Sequence, residues 1–279
     1  MMTQTSIALL AGGGDLPRRL IHACRTQERP VFVVAFRKFT DPETVEDVEH
    51  AWTRLGAAGQ VLEQLAQWAV EEVCLAGQFR RPGLMELAPD GEAMRILMKV
   101  GWRSLGDAGL MDALAGELEE RGFRVVAPQD ILGGLLSGEG CYTRTEPDDE
   151  AWVDIARGRE VARILGTADA GQGVVVQQGV VLAIEAAEGT DAMLARCGDL
   201  RREGLGGVLV KARRPQQDER VDLPTIGTGT VRAASAAGLR GIAVEAGGAV
   251  IVDRDALVEL ADELGLFVIG LPADEPESP

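Results

Sequence analysis

The densest chemistry in the chain lies in VKARRPQQDERVDLPTIG, residues 210–227. Lys211, Arg213, Arg214 and Arg220 stand within a few positions of Asp218, Glu219 and Asp222. Such cations pair with phosphate oxygens, and carboxylates among them suit a hydrated Mg²⁺ ion. A charged loop is ordinarily a solvated surface. Here Leu223-Pro224-Thr225-Ile226 draws Asp222 toward buried structure, where a carboxylate needs a partner or a metal.

Two further stretches carry chemistry. EAAEGTDAML, residues 185–194, starts as a strand and breaks at Gly189. Thr190 or Asp191 is placed to cap the next helix, and Glu188 and Asp191 lie off any apolar face. A capping motif with solvated carboxylates explains the stretch equally well. LLAGGGDLPRRL, residues 9–20, sets Gly12, Gly13 and Gly14 between an apolar run and a helix opening near Pro17. The dinucleotide fingerprint G-x-G-x-x-G has Pro17 where its third glycine belongs. The next strand ends in Phe36-Arg37-Lys38 rather than in a ribose-binding acid. NAD is disfavoured, and an NADP-dependent oxidoreductase stays open. So do an anion held by helix N–H groups and a turn that only packs.

Other chemistries lack parts. The two histidines, His22 and His50, have no partner at ligand spacing. No G-x-S-x-G elbow, intact Walker A loop or CxxC pair occurs. Met85, Met94, Met98 and Met111 cluster in a short region, as adaptable contacts for an acyl chain or as ordinary packing.

The elements that must position these residues read as two α/β halves. In the first, strands at 7–11, 31–36, 73–76 and 122–128 alternate with helices at 17–26 and 110–121. This predicts a Rossmann-like parallel sheet with ligands at the strands' C-terminal ends. A Gly-rich, charged stretch follows, and residues 138–150 are expected to link the halves. The second half predicts a helix at 152–165, two strands around a turn at Gln178-Gly179, and a helix at 192–199. GVLVKA, GIAVEA and AVIVD add strands, with helices at 230–237 and 254–264. The expected fold class is therefore α/β in two domains, residues 1–137 and 151–271, the second of mixed topology. A ligand cleft between them and a disordered Pro-rich, acidic tail at 272–279 are also expected.

Twenty-eight basic against 44 acidic residues give a net charge of −16, which opposes nucleic-acid binding. The isolated Cys24, Cys74, Cys141 and Cys197 fit reduced thiols in the cytoplasm. No apolar run reaches the roughly 20 residues of a membrane span, and the N-terminus lacks the features of a signal peptide.

Together, AGGGDLP (11–17), AGQFRRP (76–82), the Gly-Asp pair at 106–107, GQGVVV (171–176), EAAEGTDAML, VKARRPQQDERVDLPTIG, GIAVEAG (241–247) and LGLFVIG (264–270) run in order along nearly the whole chain. In these the chain resembles the UDP-2,3-diacylglucosamine diphosphatases of lipid A biosynthesis, of LpxI type. The segment around Asp107 departs from the family pattern at Gly109. The resemblance implies a Mg²⁺-dependent hydrolase that yields UMP and 2,3-diacylglucosamine 1-phosphate (lipid X). It implies that Asp222 is catalytic, as metal ligand or positioner of water, with Glu188 and Asp191 as further metal ligands. It implies Lys211 as a cation for the diphosphate. Gly12, Gly13, Gly14, Gly77, Gln172, Gly173, Gly189, Thr190 and Thr225 become candidate substrate-binding positions. It further implies transient contact with the cytoplasmic face of the inner membrane and a possible homodimer. A non-catalytic nucleotide-sugar or lipid-binding protein remains the alternative.

Overall fold

The computed structural model describes residues 5–79, 87–100, 107–215 and 218–273. The chain forms two compact units, Met1–Gly133 with Asp218–Asp222, and Gly134–Gln217 with Leu223–Pro279. The unit boundary falls at Gly133/Gly134, and the chain is α/β in both.

The first unit is built on β1 (Ile7–Ala11), β2 (Val31–Phe36), β3 (His50–Thr53), β4 (Glu72–Ala76) and β5 (Arg124–Val125). They pair in the order β3-β2-β1-β4-β5, all parallel. The central strand IALLA is buried at every position. A strand covered on both faces needs an unbroken apolar run, and this is one. The helices are α1 (Leu16–Thr26), α2 (Ala58–Gln67), α3 (Gly91–Val100), α4 (Asp107–Glu120) and the single turn α5 (Pro128–Ile131). Leu10, Val34, Leu65, Val73 and Leu118 form the centre of one core cluster. The strand order turns back between β1 and β4, so the loops after these two strands diverge from a switch point. Those loops carry Gly12–Gly14 and Gly77.

Sequence patterning assigned no element between β2 and β4, where β3 and α2 lie. HAWT has four residues and an exposed first position, too short for alternation to register. In GFRVVAP only Arg124 and Val125 pair as strand.

The second unit contains β6 (Gly140–Cys141), α6 (Asp149–Thr167), β7 (Gly173–Gln177), β8 (Val180–Ile184), α7 (Gly189–Cys197) and β9 (Val208–Lys211). Then follow β10 (Thr225–Ile226), α8 (Thr228–Ala236), β11 (Gly241–Glu245), β12 (Val250–Ile251), α9 (Arg254–Glu263) and β13 (Phe267–Leu271). The main sheet runs β6-β13-β11-β9-β7-β8. Strands β9, β11 and β13 are parallel, whereas β6, β7 and β8 pair antiparallel. The topology is mixed. Gln178 and Gly179 both have positive φ, 55° and 73°, as a two-residue hairpin turn of type I′ requires. Within the stretch expected to link the domains, Gly140 and Cys141 instead form an edge strand on β13.

Period-two alternation divides this sheet into two apolar faces. Val175, Leu209, Ile242 and Val244 pack with Met193, Val231 and Leu257 of α7, α8 and α9. Val208, Val210 and Ala243 face Ala151 and Ile155 of α6.

Candidate functional site

Three strands of the second unit bring polar residues to one level. Gly173 of β7 is in register with Lys211 of β9, and Glu185, just past β8, donates its N–H to the Gly173 carbonyl at 2.8 Å. Alternation puts Lys211 on the same face as Leu209, and Glu185 on the same face as Ala183. Both polar side chains therefore stand at the rim of an apolar layer. Lys211 is only 3% exposed and Glu185 7%. Gly173, between them, has no side chain. A Cβ there would lie 2.5 Å from Glu185 Oε2, so the carboxylate occupies space that only glycine leaves.

Thr190, in the first turn of α7, joins the two charges. The Lys211 ammonium donates to Thr190 Oγ1 at 2.8 Å, and that hydroxyl donates to Glu185 Oε1 at 2.8 Å. Lys211 also donates to the Thr225 carbonyl at 3.4 Å. Gly189 opens α7 with φ +80°, a conformation glycine adopts without strain. Ala212 donates to the Gln172 carbonyl at 3.1 Å. Five of the sequence-predicted residues thus share one constellation: Gly173, Gly189, Thr190, Lys211 and Thr225, with Gln172 alongside. Glu185, missing from the sequence reading, completes it. Its signal was a carboxylate two residues after the buried Ala183, on the same face.

Several other charges nearby are engaged in ion pairs. Glu188 binds Arg196 at 2.8 Å, and that guanidinium holds its carboxyl below the usual range. Asp191, on the same helix, is exposed. Arg214 is buried against Asp169 at 2.8 Å, and Arg213 lies 3.8 Å from Glu245.

Asp222 ends the segment that belongs to the first unit. A turn carries it: Val221 and Asp222 both donate their N–H groups to the Asp218 carbonyl, at 3.1 and 3.2 Å. Arg220 grips the Asp218 carboxylate at 2.7 Å and reaches Glu119 of α4. The Arg220 pair lowers the Asp218 pKa. Val221 packs on the core of the first unit, and Gln129 bonds the Glu219 carbonyl at 3.3 Å. Asp222 is half-buried at the end of this braced turn.

The glycine turn after β1 serves packing first. Gly12 donates to the Ala76 carbonyl at 2.8 Å, and Gly13 exchanges two 2.9 Å backbone bonds with Gln78. A Cβ on Gly12 would lie 2.6 Å from the Gln78 carbonyl, and one on Gly77, at φ +98°, 2.7 Å from that of Gly13. The N–H groups of Gly12 and Gly13 are thus spent inside the unit. Pro17 falls at the second position of α1, behind Leu16.

Of the methionine cluster, Met94 and Met98 are 41% and 66% exposed on α3. Met85, Arg80 to Pro82, Gly106 and residues 274–279 of the expected tail lie outside the described residues, as does the side chain of Met111.

Among the described residues, no three His, Cys, Asp or Glu side chains gather to hold a metal. Mg²⁺ rarely needs such a cage. It keeps waters and takes one or two carboxylates together with substrate phosphates. A half-buried aspartate such as Asp222 fits that demand. Among the described residues, no helix is long and apolar enough to cross a membrane.

Comparison with known proteins agrees on one family. Residues 6–135 match the LpxI N-terminal domain and residues 138–269 the LpxI C-terminal domain. The UDP-2,3-diacylglucosamine pyrophosphatase LpxI of Caulobacter vibrioides is 40% identical over 277 residues, covering 96% of this chain and 98% of that protein. Among solved structures, CobK precorrin-6A reductase matches at 11% identity with a TM-score of 0.37, over 99% of this chain and 91% of its own. An N5-carboxyaminoimidazole synthase from Aspergillus clavatus matches at 13% and 0.25, over 72% and 45%. These two likenesses add nothing to the assignment. The chain belongs to the LpxI family.

Proposed function

We propose that this chain is an enzyme that hydrolyses the diphosphate of UDP-2,3-diacylglucosamine, giving UMP and 2,3-diacylglucosamine 1-phosphate for lipid A biosynthesis. The observation that carries the reading is the near full-length match to a relative named for this substrate. The buried Lys211 cluster, at the positions the family motifs single out, supports it.

Water adds to one phosphorus, the P–O bond to the bridging oxygen breaks, and that oxygen leaves on the other phosphate. The protons released pass to solvent. The Lys211 ammonium would pair with a non-bridging diphosphate oxygen. Burial strengthens that attraction, and Thr190 and the Thr225 carbonyl fix where the ammonium points. Asp222 would hold Mg²⁺ or orient the attacking water. Mg²⁺, when bound, neutralises phosphate charge and lowers the pKa of coordinated water. The acyl chains of the substrate place the reaction at the cytoplasmic membrane surface, with the protein as a peripheral visitor.

The test is UMP release from UDP-2,3-diacylglucosamine with and without Mg²⁺. Asp222→Asn keeps the side chain's shape and removes its charge. Its kcat is expected to fall about a thousandfold with folding unchanged. A folded variant with full turnover would remove Asp222 from the mechanism. A wild-type protein that binds substrate without releasing UMP would leave a binding protein instead.

A further inference from the structure

Glu185 is more than 90% buried, and only one of its oxygens is used. Oε1 accepts the Thr190 hydroxyl, while among the described residues Oε2 has no hydrogen-bond partner. The buried Oε1 of Gln172, the residue beside Gly173, also has no partner among the described residues. Leaving a buried acceptor unmet costs about 1–3 kcal/mol. Both unmet atoms are acceptors, and the Glu185 carboxylate fills the space that the missing side chain of Gly173 leaves. Lys211, on the other side of Gly173, offers the opposite polarity.

We propose that Glu185 is a specificity-determining residue of the Lys211 site, whose Oε2 accepts a hydrogen bond from an O–H or N–H of the bound ligand. The site then has two poles joined through Thr190. Lys211 meets an anion, and Glu185 meets a donor carried on the same ligand. The carboxylate also holds the Thr190 hydroxyl in the orientation that receives the lysine. This deepens the proposed function, since the substrate carries a diphosphate together with sugar hydroxyls, an amide N–H and a uracil N–H.

Three variants test it. Glu185→Gln keeps size and still accepts from Thr190, but turns an N–H₂ toward the ligand's donor. Glu185→Asp keeps the charge and withdraws it by one methylene. Gly173→Ala pushes a methyl against Oε2. Each is expected to raise KM for UDP-2,3-diacylglucosamine about tenfold, the effect of one buried hydrogen bond, with kcat changed less. Binding of UMP and of 2,3-diacylglucosamine 1-phosphate, measured separately by calorimetry, then shows which half carries the donor. Tenfold weaker binding of one product to Glu185→Gln supports the proposal. Unchanged KM and unchanged binding of both products overturn it, since Oε2 then needs only water. A normal KM in Glu185→Asp beside a raised one in Glu185→Gln also overturns it, because charge balance alone would then explain the residue. Failure of the wild-type protein to release UMP would strike the proposed reaction. The product-binding comparison would still decide the role of Glu185.

Discussion

Buried carboxylates occur in both units, and Glu185 of the second is treated differently from Glu72 and Glu117 of the first. In the first, Glu72 is gripped by Arg29 and Arg124, and Glu117 by Arg95 and Arg121 with Lys99 at 3.6 Å. Burial pushes the Glu117 pKa up, but Arg121 and Arg95 more than offset it, so the carboxyl stays below its usual range. In the second, Asp154 has Arg240 at 3.7 Å, but among the described residues no cation touches Glu185. Its link to Lys211 passes through one hydroxyl. Direct pairing settles a carboxylate into the fold. Indirect pairing leaves both charges with capacity for a third party. The contrast separates acids that hold the protein together from one that waits for a ligand.

The strongest attempt to break this contrast is Glu72→Ala. It leaves the partly buried Arg29 without its carboxylate, with only the Thr5 carbonyl as acceptor among the described residues, and breaking such a pair destabilises by about 3 kcal/mol. Urea unfolding should show that loss. An unchanged midpoint would mean that the first unit's pairs are as dispensable as surface ones. Lys211→Met is expected to do the reverse. It should lower kcat/KM about a hundredfold, the weight of one charge-assisted bond in a buried site, while the unfolding midpoint moves little. A large stability loss with intact kinetics would place Lys211 with the structural charges. Arg121→Met should have the smallest effect, and one that depends on pH. The depressed Glu117 pKa contributes stability that is present above the ordinary carboxylate range and lost as pH falls through the folded value. The deficit of the variant relative to the parent should therefore be visible at neutral pH and shrink in acid. Unfolding curves at several pH values check it, and a deficit that grows in acid would refute the pairing.

Much of the fold was legible in the chain. IALLA and VFVVAF are unbroken apolar runs, and β1 and β2 match them residue for residue. The hairpin at Gln178-Gly179 was visible because few dipeptides tolerate two positive φ values. Strand β3 was not, since its four residues depend on Val33 to Phe36 for pairing rather than on any pattern of their own. At the site, Lys211 and Thr190 stood out by type and motif. Glu185 did not, because its meaning comes from Gly173 across the strand pair, and sequence order does not show which residues lie side by side. The packing role of the triple glycine was equally hidden. The turn has the look of a phosphate cradle, yet Gly12 and Gly13 are required by Gln78 and Phe39, whose carbonyls a Cβ would strike.

The turn from Asp218 to Asp222 has a consequence for synthesis. Descent divides the chain near residue 136, between the two matched family domains. Packing does not respect that line, because Val221 and its neighbours belong to the first unit. As the chain leaves the ribosome, the first 133 residues emerge well before this piece. Chains tend to fold from the N-terminus as they appear, so the first unit must hold an exposed patch until its last five residues arrive. That delay makes Asp222 one of the final groups set in place. Asp222 is assembled only when most of the polypeptide already exists.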